Sequence, residues 1–172
     1  MYKVFQIKIG KEVRDYVNSN DRGHTGGEEK YPIYEAHMKS QRGADYFRGD
    51  MFEHYTNVCN VSKSGGLISG DEPFVIDNLE EVFKVLNGYY FDEDSETDIV
   101  FDNHVSGYKM KTVTRKDGEV VTFRDMHSLS VGDIVYDVDK DTYNIVDSWG
   151  YKDVTADIIS NINVEEALNE VS

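Results

Sequence analysis

The 172-residue sequence predicts an α+β fold: N-terminal strands with two short helices, then a small antiparallel β-barrel-like or curled-sheet unit, then a C-terminal helix. Three observations carry that expectation. "DNLEEVFKVLNG" (77–88) places Leu79, Val82, Phe83 and Leu86 on one helical stripe. From Tyr108 onward, short β-branched and aromatic runs alternate with tight-turn residues. The tail "NVEEALNEV" (163–171) spaces Val164, Ala167, Leu168 and Val171 as a helix face. The organisation expected is an α+β region over 1–106 and a β-rich region with an acidic C-terminal helix over 107–172, which one compact domain would also accommodate.

Taken in chain order, "YKVFQIKI" (2–9) alternates as a strand, and "KEVRDYVNS" (11–19) sets Val13, Tyr16 and Val17 at i, i+3, i+4 as a short helix. The Gly-rich, polar "NSNDRGHTGGEE" (18–29) reads as a loop. "YPIYEAHMK" (31–39) divides Ile33, Glu35, His37 and Lys39 from Tyr34, Ala36 and Met38, which predicts a strand. A polar connector (40–51) leads to a strand in "HYTNVCNVS" (54–62) and a loop at 63–73. In the helix over 77–88, Asp77 or Asn78 caps the free amides, Glu80 and Glu81 meet the positive end of the dipole, and Gly88 closes it. The acidic "FDEDSETDIVFDN" (91–103) reads as an exposed linker around a short "IVF" strand. "YKMKTVTRKDGEVVTFR" is a hairpin turning at Asp117-Gly118, and strands follow at 132–138, 142–148 and 150–154.

Charge narrows the function. The formal net charge is −15, but residues 1–70 balance at +1 and residues 71–172 at −16. Such a field repels nucleic acid and attracts a basic partner. Lys3, Lys8, Lys39, Arg42 and Arg48, interleaved with Tyr34, Tyr46 and Phe47, form a faint nucleic-acid pattern that the acidic remainder outweighs. No apolar run approaches the length of a membrane span. The opening residues carry no signal-like segment, and the single cysteine, Cys59, fits a reducing cytoplasm.

The span "MHSLSVGDIVYDVDKDTYNIVDSWGYKDV" (126–154) admits three chemistries. Asp137, Asp139 and Asp141 sit at positions 1, 3 and 5 of a calcium loop, but Thr142 and Ser148 stand where glycine and glutamate belong. His127 and Ser128 are strand neighbours pointing to opposite faces, without a nucleophile elbow, so catalysis is not expected. A structural role fits best, with His127, Ser128, Ser130, Gly132 and Asp133 forming the turn into a strand. Trp149 beside Gly150 covers the barrel's end or makes an exposed contact, and its size favours the core. The five histidines show no spacing that resembles a zinc site, so neither metal nor cofactor is expected.

This span resembles the YodL-like domain of uncharacterised phage and mobile-element proteins. His127, Ser128, Leu129, Ser130, Val131, Gly132 and Asp133 match its first motif; Val146, Asp147, Ser148 and Gly150, around Trp149, match its second. "YPIYEAHM", "FEHYTNVCNV" and "NLEEVFKVLN" are similar to longer phage-encoded relatives. The resemblance supplies no catalytic residues and implies a small accessory protein acting inside a bacterial host. The expected function is therefore a non-enzymatic acidic protein that binds a host protein with a basic surface. Nucleic-acid charge mimicry would require Asp92, Asp94, Asp98, Asp137, Asp139, Asp141, Glu165 and Glu166 to form one continuous track. A nucleic-acid or small-ligand binding module is the alternative.

Overall fold

The computed structural model describes residues 1–67 and 73–162. Its elements are β1 (Tyr2–Ile7), α1 (Lys11–Ser19), α2 (Gly23–Lys30), α3 (Pro32–Ser40), two 3₁₀ turns (Ala44–Tyr46 and Gly49–His54), β2 (Tyr55–Val61), β3 (Gly66–Leu67), β4 (Pro73–Phe74), α4 (Leu79–Leu86) and α5 (Ile99–His104). β5 (Val105–Ser106), β6 (Met110–Thr114), β7 (Val120–Arg124), β8 (Ile134–Asp137), β9 (Thr142–Val146) and β10 (Tyr151–Asp153) follow. A last helix, α6, covers residues 155–162. The tail helix expected over 163–171, with Glu165 and Glu166, lies outside the described residues.

Six strands form one sheet in the order β10-β9-β8-β1-β2-β5, antiparallel throughout. The fold is α+β as expected, but the sheet stays open and does not close into a barrel. Strands from both sides of residue 107 share it, with β1 at its middle. Both faces are covered. Tyr2, Val4, Val61, Val135 and Val146 pack with α4 and α5 through Val82, Val85, Val100 and Phe101. Ile7, Ile134 and Ile145 pack on the opposite side with Ala36 of α3, Phe47, Met51 and Ile158 of α6. Double coverage explains why Ile134-Val135 and Ile145-Val146 are consecutive apolar pairs where a half-solvated strand would alternate. In β2, pairing jumps from Val4–Cys59 to Phe5–Asn57, leaving Val58 as a bulge residue. The Asn57 amide donates to the Val4 and Cys59 carbonyls at 3.3 and 3.2 Å and closes the irregularity.

Three segments differ from the sequence expectation. Residues 31–39 are helical: Pro32 starts α3, Ile33 and Ala36 face the sheet, and Tyr34 and Met38 face α1. The two-residue alternation coincided with a helix that buries two sides. The Gly-rich loop contains α2, because a Cβ on Gly27 would lie 2.5 Å from Val17 Cγ2, so glycine allows α2 to press against α1. Tertiary contact overrides the low helix propensity there. "IVF" begins α5, whose first turn is fixed by Asp98 accepting from Phe101 N at 3.0 Å.

At α4 the cap is Asn78, whose Oδ1 accepts from Glu81 N at 2.9 Å. Asn78→Ala is expected to lower the unfolding free energy by ~1 kcal/mol and Asp77→Ala by at most a few tenths. Urea denaturation of the two variants would check the difference.

Candidate functional site

Buried polar side chains of the fold converge on the turn Ser130–Asp133, which delivers the chain into β8. Asp133 is only 5% exposed; its Oδ2 accepts from Ser130 N at 2.9 Å and from Gln6 Nε2 at 3.1 Å. Gln6, on β1, also donates to the His127 carbonyl at 2.9 Å and accepts from His127 N at 3.2 Å. With both amide hydrogens of Gln6 engaged, His127 Nδ1 is left to donate to the Ser128 carbonyl at 2.7 Å, and it stands 3.6 Å from Asp133 Oδ2. Burial pushes the Asp133 carboxyl up to about 6, against the opposing pull of His127, Ser130 N–H and Gln6. His37 of α3 faces the same turn, its pKa lowered by burial and then by His127.

His37, Ser40, His127, Gly132 and Asp133 border a recess with room for about one water molecule. That space is far below a small-molecule site. The nearby hydroxyls are locally engaged: Ser130 Oγ donates to the Ser128 carbonyl and Ser40 Oγ to the His37 carbonyl. No Ser–His side-chain pair forms among the bonds described there. The proximity of His37 and His127 is a pairing that sequence spacing, 90 residues apart, does not reveal. No group of three or more potential ligands could hold a metal ion among the described residues. Burial also pushes the Cys59 thiol up to about 12, which makes it a poor nucleophile.

The two motifs act together mechanically. Gly132 has φ +93°, and a Cβ there would lie 2.8 Å from the Ser40 carbonyl carbon. Its own carbonyl accepts from the Tyr55 hydroxyl at 2.6 Å. Asp147 Oδ1 accepts from Ala44 N at 3.2 Å and Ser148 N at 2.8 Å, while Asp147 N donates to the Gly150 carbonyl. The first motif therefore holds one end of the 40–44 turn, after α3, and the second holds the other. Trp149 does not enter the core: it is 94% exposed at the tip of the 147–150 turn. The turn is too tight, and Asp147 too firmly tied inward, for the indole to fold back.

The expected acidic track is not reproduced. Asp137 is 3% exposed and accepts from Asp139 N and Lys140 N, so it holds the β8–β9 turn and cannot meet a partner. Asp139 pairs with Lys63 at 2.6 Å, which lowers its pKa. Asp141, at φ +53°, accepts from the Tyr136 hydroxyl. Asp98 caps α5. Asp92 and Asp94 stay exposed in a turn where Asp92 accepts from Asp94 N and Ser95 Oγ. The N-terminal basic set is largely engaged as well: Lys8 with Asp125, Lys39 with Glu35, Arg42 with Glu28 and Arg48 with Asp50. Gln6 was overlooked in the sequence, although a polar residue inside "VFQI" was its signal. No family model matches the chain, and no curated protein or solved structure does either. No helix among the described residues is long and apolar enough to cross a membrane.

Asp133 binds its proton more tightly folded than unfolded, since its pKa rises from 3.8 to about 6. Its contribution to stability therefore falls as pH rises through that window, by ~3 kcal/mol at most. Relative to the parent protein, Asp133→Asn is expected to gain stability by up to that amount between pH ~4 and pH ~7 in urea denaturation; the opposing titration of His37 is present in both proteins. Gly132→Ala should cost ~3 kcal/mol through backbone strain and the clash with Ser40, read as a lower thermal midpoint.

Proposed function

We propose that this chain is a non-enzymatic accessory protein that binds a protein with a basic surface, using Trp149 as its anchor. The observation that carries the reading is the almost fully exposed indole on a turn fixed by Asp147. A large aromatic group held in water gains much on burial, and a turn already ordered loses little entropy when it docks. Asp147 and Asp157 lie close enough to Lys152 to act on it electrostatically, and Asp45 pairs with it at 2.8 Å. Three aspartates therefore surround Lys152, three residues beyond the indole in the chain, and leave an acidic excess there that is complementary to a basic partner.

The likeness of 126–154 to YodL-like proteins supports an origin in a phage or mobile element, with a host protein as partner in the bacterial cytoplasm. Nucleic-acid mimicry is not part of this reading, because Asp137 is buried and Asp139 ion-paired. Binding through one anchor and a screened rim accounts for an acidic chain without a ligand-sized enclosed cleft at its polar centre.

The chain contains one tryptophan, so its fluorescence reports this site alone. A protein captured from bacterial lysate at low salt should shift the emission to the blue on titration and be released at high salt. Trp149→Ala should weaken capture at least tenfold, about 1.4 kcal/mol, without changing the circular dichroism spectrum. Undiminished capture by that variant would remove Trp149 as the anchor.

A further inference from the structure

We infer that the β6–β7 ribbon is a dimerisation arm that docks on residues 89–99 of a second copy of this chain. Among the described residues the ribbon pairs only with itself: Met110–Arg124, Lys111–Phe123, Thr112–Thr122, Val113–Val121 and Thr114–Val120 face one another, and neither strand joins the main sheet. Residues 110–120 are all exposed, and so are Thr122, Phe123 and Arg124. An isolated two-stranded ribbon is marginal in water and gains stability when one face is covered. Directly paired residues share a face, so Val113 and Phe123 stand with Lys111 on one face and Met110 and Val120 on the other; the first face offers both apolar side chains and positive charge for that cover.

The ribbon is also an island of positive charge. Residues 108–125 hold five of the eight bases found after residue 70, against three acids. Two of those acids are already neutralised, Glu119 by Arg115 at 2.8 Å and Asp125 by Lys8 at 2.7 Å. Lys109, Lys111 and Lys116 have no ion-pair partner among the described residues, and Arg124 stacks on Phe101 at 3.7 Å.

The complement lies on the same chain. Segment 89–99 carries Asp92, Glu93, Asp94, Glu96 and Asp98 and no base. Tyr89, Phe91 and Ile99 are exposed large apolar residues within it. It matches the ribbon in both properties, negative for positive and apolar for apolar, yet no ion pair joins the two within one protomer among the described residues. Segment 89–99 runs into α5, and the ribbon's Arg124 rests on Phe101 of that same helix. A two-fold axis beside α5 therefore sets each ribbon against the other protomer's acidic segment, and the contact occurs twice. Nucleic acid would use the lysines but would leave Val113 and Phe123 uncovered, and the remaining acid of the chain repels it.

The test is sedimentation velocity on the full chain at low and high salt. The parent chain should be a dimer at low salt that weakens at least tenfold as salt rises. Lys111→Glu with Lys116→Glu should give a monomer, and so should Glu93→Lys with Asp94→Lys. Mixing these two variants should restore a dimer, because each contact then again joins opposite charges. All substituted side chains are exposed, and circular dichroism would confirm that both variants fold. A parent chain that is monomeric at low salt overturns the inference, as does a dimer indifferent to either reversal or a mixture that stays monomeric. Retardation of a labelled DNA duplex by a monomeric parent chain, abolished by the lysine reversals, would assign the ribbon to nucleic acid instead. Trp149 takes no part, so this outcome and that of the partner-binding reading are separable.

Discussion

Tyr2–Ile7 is hydrogen-bonded along both of its edges, to β8 on one side and β2 on the other, and its side chains enter both apolar layers. Tyr2 and Val4 fill one layer, Ile7 the other, and Gln6 ties Asp133 and His127 into the space between strand and turn. Without that strand the β8–β9–β10 ladder of the second half is separated from β2 and β5. β8 would have a free edge where β1 now lies, and the His127–Asp133 turn would lose the amide that satisfies its buried carboxylate. The geometry of the 127–133 motif follows from this one central strand.

Elements with a single period were legible. α1 and α4 have one apolar stripe each, and β6–β7 carries its Asp-Gly turn in plain view. Segments with two environments were not. α3 buries Ala36 against the sheet and Tyr34 against α1, so its apolar residues alternate as a strand's would. α2 exists because two helices need glycine between them, a reason that lies entirely in tertiary structure. The turn role of the 127–133 residues was readable from Gly132 and Asp133, whereas Trp149 was misplaced because residue size says nothing about whether a four-residue turn lets a side chain reach inward.

Charge told a partial story for a related reason. Counting by halves gave +1 and −16, but folding crosses the halves: Lys8 meets Asp125, Lys63 meets Asp139 and Lys152 meets Asp45. Such pairs between exposed groups add little to stability. Their larger effect is on the map of the surface, where carboxylates that looked available are already matched and a basic ribbon rises from the acidic half.

The same central strand has a consequence for the order of assembly. β1 is made before both of its sheet neighbours, and its β8 neighbour follows more than a hundred residues later. Until then only β2 can shield it, and one edge of an apolar segment stays open to other nascent chains. A contact of such long sequence separation slows closure. Lys3 of β1 and Lys8 just beyond its end stand on that waiting strand and its flank, where charge discourages premature pairing between chains.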